Sequence, residues 1–383
     1  MSATSSPGVV TLGCRLNIAE SETIRGLVSG DTVVVNSCAV TNEAVKQTRQ
    51  AIRRARRDRP TARIVVTGCA ATIDAAGFAS MAEVDRVVAN RDKLSPASWH
   101  SNLAPLAFSP SAVAFAAHAR AFVGVQTGCD HACTFCAIPA GRGPSHSTAA
   151  AAVVERVAAL VGAGHREIVL TGVDLTSYEG GLGALVEAVL AGTKVERLRL
   201  SSLDSIEIDD RLFELATQEA RVMPHLHLSL QAGDDLILKR MRRRHSRAQA
   251  VAMVDRLKSA RADIAIGADL IAGFPTEDEA AFANTLALID DCDIVHAHVF
   301  PYSPRANTPA ARMPLVDPTV VRERAARLRV KAAARHMAWR ETLTGTVQRV
   351  LVERPGDRGH AENFAEVHLR EAREPGSIVE VQL

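Results

Sequence analysis

Short β-branched runs alternate with amphipathic stretches along most of the chain. In the first hundred residues, 9–14, 31–38 and 62–69 read as strands. Helical spacing follows each of them, over Ala19 to Val28, Asn42 to Asp58 (stopped by Pro60) and Ile73 to Met81. Such alternation predicts a parallel α/β sheet. A longer repeat begins after an Ala/Ser/Pro-rich stretch at Ser101 to Ala119, read as a linker. Its strands are predicted at 122–126, 167–170, 195–200, 225–230, 264–270 and 294–300. Helices are predicted between them at 148–162, 182–191, 209–219, 247–260 and 277–290. Six such units predict a partial (β/α)6 barrel, with its functional groups beyond the carboxyl ends of the strands.

Asp317-Pro318 is an N-cap followed by proline at the first helical position, and predicts a long basic helix to about Glu341. The tail reads as three strands at 346–352, 363–369 and 378–382, parted by turn residues. The pattern therefore predicts three domains: a parallel α/β domain over 1–105, the partial barrel over 106–340, and a small all-β domain over 341–383.

Composition adds little beyond an ordinary soluble class: 47% hydrophobic, 23% charged, net charge +2. Only six of the 45 basic residues are lysine, so a lone arginine says little and clusters say more. The N-terminus lacks a basic region followed by an apolar core. No apolar run approaches the roughly 18–20 residues that span a bilayer. A cytoplasmic protein without membrane contact is expected, in which the seven cysteines are metal ligands plus a leftover rather than disulfides.

Three of those cysteines, Cys129, Cys133 and Cys136, form a C-x₃-C-x₂-C loop directly after the first barrel strand. Three thiolates on one loop suit a four-iron cluster with an open iron. Zinc is the competing reading, but it usually takes four protein ligands in two pairs, and only His131 stands nearby. Cys14, Cys38 and Cys69 each follow a predicted strand of the first domain. Three buried structural cysteines would explain them plainly. Their shared position at three strand ends favours a second cluster.

The segment Gly128-Cys-Asp-His-Ala-Cys-Thr-Phe-Cys136 resembles the cluster motif of radical S-adenosylmethionine (SAM) enzymes. Thr11-Leu-Gly-Cys-Arg-Leu-Asn17, Asn36-Ser-Cys-Ala-Val-Thr41 and Val66-Thr-Gly-Cys69 resemble the cysteine motifs of the radical methylthiotransferases that modify tRNA. Leu228–Asp235, Lys239–His245, Gly267–Pro275 and His298–Pro304 are also similar to that family, and Gly359–Phe364 resembles its RNA-binding TRAM module. The segments 36–41, 240–245 and 308–313 look most like the MtaB-type branch. Ser37, Ala137, Ala140 and a short C-terminal domain depart from the family pattern.

The resemblance implies addition of a methylthio group to C2 of N6-threonylcarbamoyladenosine at position 37 of tRNA. It implies two 4Fe-4S clusters, on Cys129/Cys133/Cys136 for radical generation and on Cys14/Cys38/Cys69 for sulfur, with SAM as cofactor. No catalytic residue beyond these ligands is implied. Phe135 is placed against the SAM adenine, Gly172, Val173 and Asp174 near its methionine amino group, and Ser202 and Gln231 as polar contacts. Arg240, Arg242, Arg243 and Arg244 are the first RNA-binding candidates, then Arg49, Arg53 and Arg56. A monomer is implied that meets the tRNA anticodon loop and an electron donor such as flavodoxin or ferredoxin.

The alternatives are the branches acting on isopentenyl-adenosine tRNA or on a ribosomal-protein aspartate, and a non-catalytic iron–sulfur electron carrier. His225, His227, His296 and His298 read as structural, and Cys292 as a bystander.

Overall fold

The computed structural model describes residues 8–99 and 118–383, so most of the expected linker lies outside the described residues. Its N-terminal part runs β1 (Gly8–Thr11), α1 (Arg15–Leu27), β2 (Thr32–Ser37), α2 (Asn42–Asp58), β3 (Arg63–Gly68), α3 (Cys69–Ile73), α4 (Ala75–Ala79) and β4 (Arg86–Val87). The four strands form one parallel sheet in the order β1-β2-β3-β4. The helix expected over 73–81 is two short helices. Asp74 breaks it, its carboxylate accepting from Gly77 N and restarting the turn as an N-cap.

The central part begins with β5 (Arg120–Gly124), β6 (Gln126–Thr127), α5 (Ile138–Arg142) and β7 (His146–Ser147). It continues with α6 (Ala150–Gly162), β8 (Glu167–Thr171), α7 (Leu182–Gly192), β9 (Arg197–Leu200) and α8 (Asp210–Gln218). After these come β10 (His225–Gln231), α9 (Asp235–Met241), α10 (Arg247–Ala260), β11 (Ala265–Ala272), α11 (Glu279–Asp291) and β12 (Ile294–Pro301). The six long strands are parallel and pair in sequence order, as two three-stranded sheets, β5-β8-β9 and β10-β11-β12. A parallel bridge between Leu203 and Leu228 joins the halves. One large apolar core, running from Ala121 to Leu328 and taking in Ala19 of α1, fills the space between these strands and their helices.

α12 (Pro318–Thr342) starts as expected, with the Asp317 carboxylate accepting from Thr319 N. The tail forms one antiparallel sheet of β13 (Val347–Glu353), β14 (Arg358–Ala361), β15 (Glu366–His368) and β16 (Ile378–Gln382), ordered β15-β14-β13-β16. β14 is missing from the three-strand expectation, and the residues before β15 make a turn instead of a strand, with Phe364 at φ 69°.

α1 joins the first two parts. It packs against β5, where a Cβ on Gly124 would come within 2.9 Å of Leu16 Cδ1. At the other end, Glu167 is fully buried and accepts from Arg199 Nε at 2.7 Å and meets Arg120 at 2.9 Å. Burial opposes its charge, but Arg199, Arg120 and Arg197 hold its carboxyl down to about 2. Arg199 also donates to the carbonyls of Ala361 and Glu362, tying the C-terminal sheet to the start of the central strands.

Candidate iron–sulfur site between two cysteine triads

Cys129, Cys133 and Cys136 lie on the loop between β6 and α5. Gly128 turns the chain at φ 72°, where a Cβ would strike the Pro144 carbonyl at 1.8 Å. Thr134 pins the far side of the loop, its N and Oγ1 donating to the carbonyls of Met241 and Arg240 and its carbonyl accepting from Ala310 N. Cys129 Sγ lies 3.4 Å from Asp174 Oδ2, and Cys136 Sγ accepts from Ile138 N at 3.4 Å. Burial raises the Cys129 thiol to about 12, helped by Asp174, and the Cys136 thiol to about 11. A bound cation is what would favour the thiolates of Cys129 and Cys136 against this burial.

The second triad comes from three strand ends, as the alternation of strands and helices predicts. Cys14 is the N-cap of α1, Cys38 follows β2, and Cys69 opens α3. Gly13 at φ 90° leaves no room for a side chain, since a Cβ would sit 2.5 Å from Cys38 Sγ. Asn17 ties two of these loops, donating to Leu12 O at 2.7 Å and Ser37 O at 3.1 Å. α5 closes on the third, for a Cβ on Gly141 would meet Cys69 Cβ at 2.9 Å. Burial raises the Cys38 thiol to about 11, with Cys14 and Cys69 adding to it.

Both triads line cavities with a common wall. The first holds Cys129, Cys133, Cys136, Asp204 and Arg243; the second, about 290 Å³, holds Cys14, Cys38, Cys69, Arg142 and Asp269. Phe135, Cys136, Val173, Ser202, Ser229 and Gln231 line both. Among the described residues, the metal-type donor groups within 4.8 Å of one another are Cys129–His131–Asp174 and His227–Asp269–His298. Neither cysteine triad is so tight, which suits a cluster of several irons better than one zinc ion. The two donor sets, all sulfur, one on a single loop and the other from three strand ends, fit 4Fe-4S clusters.

Phe135, Gly172, Val173, Asp174, Ser202 and Gln231 all border these cavities. The N–H groups of Val173 and Asp174 are already taken by Gln126 Oε1, at 3.1 and 2.9 Å. Gln126 thereby fixes this turn, whose carbonyls are the acceptors it offers to an ammonium group, and is a site-shaping residue that sequence reasoning missed. His131 turns to Asp174 at 3.4 Å rather than completing a set of four ligands with the cysteines.

The arginines sit in different surroundings. Arg243 does not face solvent; it is buried beside Cys133, donating to Asp204 Oδ2 at 2.9 Å and Ser229 O at 2.7 Å. Arg240 is half-buried on Thr276, and Arg244 pairs with Glu207. Arg242 alone of the four is exposed with no ion-pair partner given among the described residues. Arg49, Arg53 and Arg56 on α2 pair with Asp74, Glu83 and Asp85 of the same N-terminal part. His227 and His298 both bond Asp269 Oδ1, at 2.9 and 3.2 Å, and Cys292 is buried in the core.

Comparison with known proteins agrees with this geometry. The radical SAM superfamily matches residues 123–289, and the family described as "Uncharacterized protein family UPF0004" matches residues 7–89. A threonylcarbamoyladenosine tRNA methylthiotransferase MtaB from Rickettsia prowazekii is 42% identical over 98% of this chain and 94% of its own. The protein of that name from Bacillus subtilis is 36% identical over 83% and 78%. A tRNA-2-methylthio-N(6)-dimethylallyladenosine synthase from Parafrankia is 34% identical over 90% and 76%. Among solved structures, the radical SAM methyltransferase TsrM from Kitasatospora setae shares the fold, with TM-score 0.57 at 14% identity over 78% of this chain and 66% of that one. No described helix is long and apolar enough to cross a membrane. Such enzymes are transferases that use 4Fe-4S clusters and SAM. The chain belongs to the radical SAM tRNA methylthiotransferases and is MtaB-like.

Proposed function

We propose that this enzyme methylthiolates C2 of N6-threonylcarbamoyladenosine at position 37 of tRNA, with one 4Fe-4S cluster on each cysteine triad. The observation that carries the reading is the wall common to the two cavities, which brings the two cysteine triads to one space. C2 carries an unactivated C–H bond, on which acid–base groups have little purchase. The clusters and SAM supply the one-electron chemistry such a bond needs.

The residues of the chain hold and orient the reactants. Phe135 offers an apolar face for the SAM adenine, and the 172–174 carbonyls accept from its methionine ammonium. Arg243, fixed by Asp204, suits the methionine carboxylate, and Ser202 and Gln231 border the space left for the substrate base. The division into 1–105, 106–340 and 341–383, the partial-barrel form of the middle part and the TRAM-like character of the last belong to the same reading. So do a monomeric state, the cytoplasm, and an electron donor of flavodoxin or ferredoxin type.

On the RNA side, Arg242 is the retained candidate of the arginine cluster. A base in an anticodon loop is accessible as a single strand, so phosphate contacts around it suffice to position it. The 42% identity to the Rickettsia prowazekii MtaB, against 34% to the Parafrankia synthase, favours threonylcarbamoyladenosine over dimethylallyladenosine. Nucleoside mass spectrometry of tRNA from cells lacking the gene tests this. Loss of the methylthio form with build-up of N6-threonylcarbamoyladenosine is expected; loss of the dimethylallyl product instead would reassign the substrate.

A further inference from the structure

Behind the Cys14–Cys38–Cys69 site lies a buried charge cluster made by both halves of the enzyme. Arg142 Nη1 donates to Glu20 Oε1 at 2.7 Å and Thr127 Oγ1 at 2.9 Å, and Nη2 to Asn17 Oδ1 at 2.7 Å and Glu20 Oε2 at 2.9 Å. Four of its five N–H groups are thereby spent. The fifth, Nε–H, is buried and without an acceptor among the described residues, although Arg142 lines the cavity that holds the three cysteines. Lys93, only 1% exposed, donates to Glu20 Oε2 at 2.5 Å and Asn36 Oδ1 at 3.3 Å.

Arg142 and Lys93 share one carboxylate where water does not reach; burial lowers the Lys93 ammonium while Glu20 holds it up, so any proton Lys93 keeps leaves positive charge uncompensated. Burying that charge is unfavourable unless an anion faces it. A 4Fe-4S cluster on three thiolates is such an anion, and its potential depends on nearby charge and on hydrogen bonds to its sulfurs. Burial opposes the charge on Arg142, but Glu20, Cys69 and Cys14 all favour it, so the guanidinium stays protonated. The other triad is flanked differently, by Asp174 against Cys129 and by Arg243 already neutralised on Asp204.

We propose that Arg142, held by Glu20 and backed by Lys93, is the positioning cation of the N-terminal cluster: its Nε–H bonds a cluster sulfur and raises the cluster's affinity for an electron. This rests on the reading that Cys14, Cys38 and Cys69 hold a 4Fe-4S cluster.

The test uses the full-length chain with Cys129, Cys133 and Cys136 replaced by alanine, so that the N-terminal site alone is loaded. About four irons per chain in this background check the underlying reading; none would sink that reading without touching the role of Arg142. An EPR-monitored redox titration then gives the midpoint potential. Arg142→Gln should lower it by at least tenfold in the one-electron equilibrium, or about 59 mV. Glu20→Gln, which removes the compensating carboxylate, should raise it. Lys93→Met gives a second downward shift should Arg142→Gln fail to load iron. Opposite signs for the Arg142 (or Lys93) and Glu20 variants support the proposal. An unchanged midpoint with iron retained, or a shift of the same sign in both, overturns it and leaves a purely structural network.

Discussion

Phe364 stacks on His225, with ring centroids 4.8 Å apart and planes 24° from parallel. The contact joins a turn of the C-terminal sheet to the first residue of β10. His296 meets the same ring edge-on at 5.9 Å, and the guanidinium groups of Arg15, Arg120 and Arg199 lie 5.1–5.7 Å from its centre. One aromatic ring of the C-terminal sheet thus touches the N-terminal ends of the central strands and the residue after Cys14. Phe364 is half-buried, so Phe364→Ala should destabilise the whole enzyme by somewhat less than the ~3–5 kcal/mol of a core aromatic truncation. Thermal unfolding checks this. A lowered melting temperature seen only in a minor early transition would show the sheet to be an appendage.

The histidines around that ring make the contact acid-sensitive. Burial lowers His225 well below its usual value and takes His296 from 6.5 to about 3, with His336 adding to the latter. Both imidazoles are neutral in the fold, so the unfolded chain binds more protons as pH drops below 6.5. Stability should therefore fall from about pH 6.5 toward pH 3. The slope is shallower in His296→Gln, read as midpoint denaturant concentration against pH; an unchanged slope would remove His296 from the account.

Gly141 is where the central part leans on Cys69. Its missing Cβ clears Cys69 Cβ, Cα and carbonyl oxygen, all backbone-linked atoms within 3.3 Å of the added methyl. Gly141→Val should push α5 off the N-terminal site while sparing the loop of Cys129. Iron content is expected to fall from about eight to about four per chain. Retention of all eight would mean the interface has more give than this packing allows.

Arg243 is the buried partner of Asp204, each about 6–7% exposed at the side chain. Removing one member of such a pair costs up to about 3–5 kcal/mol, less here because Asp204 keeps Arg244 and His245 beside it. Arg243→Ala should lower the melting temperature and weaken SAM binding, measured by calorimetry, while tRNA binding holds. Lost tRNA affinity with intact SAM binding would return Arg243 to the RNA-facing set.

Much of this was legible in the chain because strand and helix periods are local. The cysteine triads could be read from their place after β-branched runs, and the Asp317-Pro318 start of α12 from capping chemistry alone. The roles of Arg142, Lys93 and Arg243 could not, since each depends on a carboxylate 73–122 residues away or on a fold that brings sequence-distant loops together. In an arginine-rich chain their identity carried no signal, although Lys93, one of only six lysines, was a weak pointer. β14 escaped because Arg358–Ala361 is short and takes its strand form from pairing with β13 and β15.

Two cysteine variants test the division of labour between the triads most directly. Purified Cys14→Ala and Cys133→Ala enzymes, reconstituted anaerobically and reduced with SAM and tRNA, are assayed for 5′-deoxyadenosine and for the methylthio nucleoside. The account predicts that Cys14→Ala still cleaves SAM yet makes no methylthio product, and that Cys133→Ala does neither. Full product formation by Cys14→Ala would contradict it.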